Sequence, residues 1–438
     1  MLGVMMTESQ TRPAFLEVDL TSQQVIALQR AVSDRYGPTI VQAAHLASRI
    51  FLLRSPWAPG LRFVGAETIP QPLEGTAGVS FSLSGSGELL EEAFVSCVGE
   101  GVDRLAQIER AGDIATIASL SEVAAQLPPE AAAAVERDIA DQTLPKTTPL
   151  AWVRGRLLEG EHLFDGCSDV LLPADWCLRR ADGEPRLKPR TALSVGVAAG
   201  PTFDWAASRA LLELIERDAA SLWWTGGRRG KAIPFDNPAM AEIARLAGVL
   251  RQHAHDRASW LLDITTDIGI PVVVALSCSE NGRQLAYGFG ARLSIVEAAR
   301  AAMLELCQTE LAILFAEIKC AEMGEERLPP VDRAHLERDR MIRADQCELL
   351  HPLGVRPARD EPVDETAELS TIAGAIAAAG IETALVDMTR PEFSIPVVRA
   401  VAPALQPMPS AIVTDRLRRE CGNCGGGARH TGGLALMA

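Results

Sequence analysis

A glutamate followed three residues later by Asp, Glu or Gln recurs in three apolar-backed runs of this sequence. The runs are Ser96-Cys97-Val98-Gly99-Glu100-Gly101-Val102-Asp103-Arg104, Arg209-Ala210-Leu211-Leu212-Glu213-Leu214-Ile215-Glu216-Arg217 and Ala301-Ala302-Met303-Leu304-Glu305-Leu306-Cys307-Gln308. At about 100° per residue, positions i, i+3 and i+4 of a helix share one stripe. Glu100 therefore aligns with Asp103 and Arg104, Arg209 with Glu213, Glu216 and Arg217, and Glu305 with Gln308. Leu211, Leu214, Ile215 and Leu222 fall behind the second stripe, and Val98, Val102 and Leu105 behind the first. Any one such helix is accounted for by a solvated amphipathic face. The neighbourhood argues for more: Gly99 and Gly101 each cost about 1 kcal/mol inside a helix, so something must approach that backbone. Trp223 and Trp224 follow the second stripe, and the third helix is apolar along most of its length. Carboxylates brought together without cations repel, so the cluster calls for a hard cation such as Mg2+, with Glu100, Asp103, Glu213, Glu216 and Glu305 as its ligands. Magnesium usually completes its shell with water and substrate phosphates, which points to a nucleotide.

The chain before each helix fits that reading. Ser194-Val195-Gly196-Val197-Ala198-Ala199-Gly200-Pro201-Thr202 leads into the second helix, where small residues let backbone N–H groups meet an anion at a helix N-terminus. Ser84-Gly85-Ser86-Gly87 and Gly288-Phe289-Gly290 repeat the arrangement more weakly before the other two. No Gly-Lys-Ser/Thr follows any of them, so this is not a P-loop.

The elements that must position these residues read as α/β or α+β. Leu262-Asp263-Ile264-Thr265 followed by Ile270-Pro271-Val272-Val273 recurs as Val386-Asp387-Met388-Thr389 followed by Ile395-Pro396-Val397-Val398, two copies of strand, turn, strand. A helical pattern from Ser22 to Leu53 and Pro-punctuated chain after it predict an N-terminal accessory module over 1–75. A catalytic domain is expected over 76–410. Surface connections are expected at 127–149, around an Ala-rich helix, at 324–333 and in the acidic stretch 359–368. Residues 411–438 read as a Gly-rich tail, whose last 18 residues hold six glycines and no periodicity and are expected to form no folded element.

The bulk numbers narrow the class. Lys and Arg number 42 against 57 Asp and Glu, a net charge of −15, which repels polyphosphate backbones and removes nucleic acid from the expected partners. No apolar run is long enough to span a bilayer, and residues 1–6 are too short and too uncharged for a secretory signal, so a cytoplasmic location is expected. The nine cysteines are an odd, scattered set that suggests reduced thiols. Only Cys421 and Cys424 have metal-ligand spacing, and without a second pair zinc is not expected.

Gly196 through Thr202, followed by Ala210-Leu-Leu-Glu213-Leu-Ile-Glu216-Arg217-Asp218-Ala219, closely resembles the signature of YcaO-domain proteins. Ser96-x-x-x-Glu100-x-x-Asp103-Arg104 is similar to that family's earlier nucleotide motif, and Gly288 through Gln308 to its later one. The likeness runs from about residue 75 to about residue 410. It implies ATP held through Mg2+ without a Walker loop, by Ser96, Glu100, Asp103, Arg104, Arg209, Glu213, Glu216, Arg217, Glu305 and Gln308. Asp103 stands where the family usually has Glu, Arg209 replaces Gln, Pro201 a frequent Asn and Trp205 a frequent acidic residue. The azole-forming members suggest a cyclodehydratase: a Cys, Ser or Thr side chain of a ribosomal peptide attacks the preceding amide, ATP phosphorylates the amide oxygen, and phosphate leaves to give a thiazoline or oxazoline. Arg217 would add positive charge at the transferred group. A thioamide- or amidine-forming member is one alternative and a catalytically silent scaffold subunit another. The implied partners are the precursor peptide, a separate leader-binding protein and a flavin-dependent dehydrogenase. Family precedent also places the C-terminus near the reacting peptide, so the tail is expected to fold over the site, with His430 or the terminal carboxylate of Ala438 assisting proton transfer.

Overall fold

The computed structural model describes residues 18–69, 80–158, 168–180, 186–252, 256–356 and 368–437. The opening residues 1–6, the acidic stretch up to 367 and Ala438 lie outside them.

The three carboxylate runs are all helical, and each helix follows a strand. Strand Ser82–Gly87 feeds helix Leu90–Ala106, strand Val197–Ala199 feeds Phe203–Trp224, and strand Ala286–Ala291 feeds Ile295–Met323. Glycine lets each pair close tightly. A Cβ on Gly85 would stand 2.2 Å from the Ala93 carbonyl, and one on Gly288 2.1 Å from the Leu306 nitrogen. Both glycine runs expected as anion-binding loops are thus strands, and their missing side chains admit a helix rather than a phosphate.

Three antiparallel sheets carry these units. The first runs Val18–Asp19, Ala47–Leu53, Arg62–Thr68, Ser82–Gly87. The second runs Ala286–Ala291, Val272–Ser279, Arg257–Asp263, Lys231–Ala232. The third runs Thr116–Ala118, Leu150–Leu157, Ala384–Asp387, Val397–Val401, Val197–Ala199, with Asp169–Pro173 also paired to Leu150–Leu157. The duplicated motif is a duplicated hydrogen-bond pattern. Asp263 accepts from the Thr265 N–H at 3.0 Å and the Thr265 hydroxyl accepts from Val272 N–H at 3.1 Å; Asp387, Thr389 and Val397 repeat this at 2.9 and 3.1 Å. Each hairpin then pairs with the strand that leads into a carboxylate helix, Val272 opposite Ala291 and Val397 opposite Ala199. The repeat thereby sets two of the three helices in equivalent places.

Two other expectations need revising. The helical pattern from Ser22 stops at Tyr36, because Gly37 takes φ 88° and Pro38 opens a new short helix; Ala47–Leu53 is a strand. That strand belongs to the same sheet as Ser82–Gly87, and Leu28 and Val32 share a core with Phe94, Val98 and Val102, so residues 18–69 are continuous with the body.

The tail is also folded. Thr414 caps a helix, Asp415–Cys424, whose Arg416 reaches the fully buried Asp218 at 2.8 Å and Asp267 at 2.7 Å. Beyond it the Gly427 N–H donates to the Thr225 carbonyl at 2.8 Å, and a Cβ there would stand 1.7 Å from the Trp224 carbonyl. The indole N–H of Trp224 donates to Leu434 O and the Tyr287 hydroxyl to Leu436 O, both at 2.7 Å. The glycines that suggested a loose end are what allow the chain to lie against the Phe203–Trp224 helix.

Candidate active site

One carboxylate in each unit closes the unit on itself. Ser84 N–H donates to Glu100 at 2.8 Å, Gly196 N–H to Glu213 at 2.9 Å and Phe289 N–H to Glu305 at 2.9 Å. The remaining oxygens of these residues, with Asp103 and Glu216, surround few cations. Arg104 takes up Glu100 at 2.5 Å, and Arg217 stands 3.3 Å from Glu213 and 3.4 Å from Glu216.

Charge exceeds compensation there. Burial, reinforced by Glu305 and Glu213 and only partly opposed by Arg217, pushes the Glu216 carboxyl up to about 8. Burial and then Glu100 hold Asp103 well above the ordinary carboxylate range. Glu305 is also raised by burial, against the pull of Arg217 and the Phe289 N–H. Burial works against the charge on Arg217, but Glu216, Glu213 and Glu305 outweigh it and hold its guanidinium above its usual value. Among the described residues no three His, Cys, Asp or Glu side chains stand together as a ready ligand set, with Arg104 and Arg217 lying among the carboxylates. The donor chemistry still fits a hard divalent cation: oxygen-only, buried, and short of positive charge.

Beside the cluster opens a cleft of about 860 Å³. Ser96, Gly99, Glu100 and Asp103 line it, together with the 197–201 segment. A Cβ on Gly99 would meet nothing within 4 Å, so that helix backbone faces open space, whereas Gly101 makes room for Leu46 and Leu83. Gln308 donates to Ser86 Oγ of strand Ser82–Gly87 at 2.5 Å. Arg209 lines the cleft, stacked 5.0 Å over the Trp205 ring and paired with Glu368 at 3.2 Å, and its buried Nε and Nη1 have no partner among the described residues.

The tail reaches the cluster: Arg217 Nη1 lies 3.5 Å from the Met437 sulfur. His430 lies elsewhere, bonded to Arg429 at 2.8 Å with Glu348 at 3.9 Å, and burial followed by Arg429 lowers its pKa. Two arginines that the helix stripes do not reveal border the carboxylates. Arg399, 2 % exposed, donates to the Val195 carbonyl at 3.1 Å and to that of Leu193, and acts electrostatically on Glu213 and Asp103. Arg292, half-buried just after strand Ala286–Ala291, acts likewise on Glu216. The one sequence signal for Arg399 is a charge within an apolar strand, Ile395-Pro396-Val397-Val398-Arg399.

A family model described as YcaO cyclodehydratase, ATP- and Mg2+-binding, matches residues 84–406. A heterocyclase solved in complex with substrate and cofactor is 20% identical with a TM-score of 0.66, over 86% of this chain and 52% of its own. The heterocyclase TruD is 21% identical with a TM-score of 0.53, over 75% and 47%. The chain therefore spans about half the length of both. The YcaO protein of Methanopyrus kandleri bound with AMPPCP and Mg2+ is 19% identical with a TM-score of 0.58, over 88% and 91%. At such identities the likeness is one of fold. Comparison with curated proteins gives no match. No helix among the described residues is long and apolar enough to cross a membrane.

Proposed function

This chain belongs to the YcaO cyclodehydratase family, and from that premise we propose that it uses ATP and Mg2+ to convert Cys, Ser or Thr residues of a ribosomal precursor peptide into thiazolines or oxazolines. The observation that carries the reading is the convergence of Glu213 and Glu216 on the one guanidinium of Arg217, at 3.3 and 3.4 Å, where burial and the neighbouring carboxylates push the Glu216 carboxyl up to about 8. Such a cluster is at its most favourable with a divalent cation in it. Glu100, Asp103, Glu213, Glu216 and Glu305 would hold the metal; Ser96, Arg104, Arg209 and Gln308 would face or brace the nucleotide. Bound Mg-nucleotide supplies the phosphoryl group that makes an amide oxygen able to leave. The chain's own contribution is to orient and neutralise: Arg217 adds a fixed charge beside the cluster, and the tail meets that guanidinium through Met437. The terminal carboxylate of Ala438 would relay a proton released by the attacking side chain, whereas His430, held by Arg429 away from the cluster, would not.

A leader-binding protein and a flavin-dependent dehydrogenase complete the system in this reading. Supporting it, one fold relative is the E. coli microcin synthetase McbBCD complex, an assembly of several proteins. The test is mass spectrometry of the precursor peptide after incubation with ATP, Mg2+ and this protein, with and without its leader-binding partner. Loss of one water per ring, strongly stimulated by the partner, is expected. No ring formation with every component present overturns the activity, and full-rate leader-dependent cyclisation by the isolated chain overturns the need for a partner.

A further inference from the structure

Strand Leu150–Leu157 is paired through its middle on one edge but only towards its ends on the other. Trp152 faces Pro173 on the first edge and Thr116 on the second, and Arg156 faces Asp169 and Leu385 in the same way. Between them Val153, Arg154 and Gly155, about 10 Å of extended chain, pair with Val170–Leu172 alone. Hydrogen bonds alternate sides along an antiparallel strand. Leu157 N–H donates to Ser168 and Leu158 N–H to Thr383, so the even-numbered residues turn to the second edge, and the N–H and C=O of Arg154 point into the interruption. Asp387 meets it from across the interruption. Met388 N–H donates to Val397, which leaves the main chain of Asp387 turned towards Arg154, yet the ladder between the two strands ends at Arg156 and Leu385.

An interrupted strand edge is a template for another extended chain. Here it opens into space: a cavity of about 470 Å³ is bordered by Asp113, Arg154, Val386 and Asp387, and one of about 610 Å³ by Arg154, Arg156, Asp169, Asp204 and Asp387. Arg154 and Asp387 line both, which makes them one groove. Arg154 and Arg156 are exposed, and their guanidiniums have no ion-pair or hydrogen-bond partner among the described residues. Three exposed carboxylates, Asp169, Asp204 and Asp387, share the lining with them. The mixture selects no strongly charged ligand and suits a polar, uncharged peptide, because guanidiniums donate to carbonyl oxygens and carboxylates accept from N–H and hydroxyl groups. The groove also leads towards the reaction site: Asp204 lines it, and the next residue, Trp205, lines the cleft that holds Glu100 and Asp103.

We propose that an extended Ser-, Thr- and Gly-rich stretch of the precursor peptide docks in this groove as an added strand, its main chain pairing with that of Arg154 and its polar groups meeting the side chains of Arg154, Arg156 and Asp169. The inference rests on the peptide-modifying reading above and gives this chain a docking surface of its own, apart from any leader-binding partner. Main-chain pairing supplies affinity with little demand on side chains. One groove therefore serves many core sequences, provided that they are extended and free of proline.

Hydrogen-exchange mass spectrometry of the full chain tests this without ATP or turnover, the probe being a synthetic dodecapeptide of repeated Thr-Gly-Ser. Millimolar probe should slow amide exchange over residues 153–156 by at least about tenfold, the protection of a newly bonded amide. The same peptide N-methylated at alternate residues should leave exchange unchanged. Arg154→Ala with Arg156→Ala, a change confined to exposed side chains, should raise the probe concentration needed by at least about fivefold. Unchanged exchange at 153–156 overturns the groove, and equal protection by the N-methylated peptide overturns strand addition. Wild-type protection in the double variant overturns the part given to the guanidiniums. Protection that grows with protein concentration in the absence of probe assigns the edge to a second copy of this chain and overturns the peptide. None of these outcomes touches the cyclodehydratase reading, which stands or falls on ring formation in the precursor.

Discussion

Helix Ile295–Met323 carries two glutamates five residues apart, Glu310 buried and Glu305 half-buried, and they live in opposite electrostatic worlds. Glu310 is fully buried yet saturated: Arg251 meets it at 2.5 and 2.7 Å, Arg257 at 3.1 Å and the Ser277 hydroxyl at 2.5 Å. Glu305 makes no ion pair among the described residues: Arg217, paired with Glu213 and Glu216, and Arg292 act on it only electrostatically, and its carboxyl is pushed up by burial. Burial alone therefore does not mark a functional carboxylate. Direct pairing does: two guanidiniums bonded to one carboxylate make a strut, whereas Glu305, reached by Arg217 and Arg292 only through space, keeps its oxygens for another cation.

The sharpest way to break this contrast is to remove one carboxylate from each place. Glu310→Gln leaves two buried guanidiniums without a counter-charge and should cost about 3–5 kcal/mol of stability, measured by denaturant unfolding. A near-neutral result would show the strut to be idle. Glu216→Gln and Glu213→Gln should leave the protein folded while lowering ATP consumption by at least about a hundredfold, the scale of losing one charge-stabilising group in an active site. Normal ATP consumption by both variants would sink the metal-cluster assignment.

The smallest effect is a slope with pH. Glu216 keeps its proton up to about 8 when folded, against an ordinary 4.5. Where the folded state binds the extra proton, stability falls as pH rises, here between about 5 and about 8. Wild-type Tm in a chelator should decline across that window, and Glu216→Gln should flatten the decline. The same slope in both proteins would assign it to another group.

Much of this was legible in the sequence because helical periodicity is strict. The stripes bearing Glu100 and Asp103, Glu213 and Glu216, and Glu305 are where the spacing puts them, and the duplicated Asp-x-Thr hairpins are real. What failed was the reading of glycine. Gly85 and Gly288 lie in strands because a helix packs on them, and Gly427 lies against the Trp224 carbonyl, yet each looks in sequence like a loop. Glycine records a close approach without saying what approaches. Arg399 and Arg292 were illegible for a different reason: their partners are brought near only by the sheets, and no local spacing announces them.

The backbone clips on Glu100, Glu213 and Glu305 bear on descent as well as on chemistry. Each of these residues fastens a strand to its helix, so a lineage that stopped using the site would still be under selection to keep them. Among the described residues Asp103 and Glu216 accept no such backbone bond, and they sit where burial disfavours their charge. Relaxed selection would erase those two first, and a silent scaffold among this protein's relatives is to be recognised by changes at positions 103 and 216 while the three clips persist.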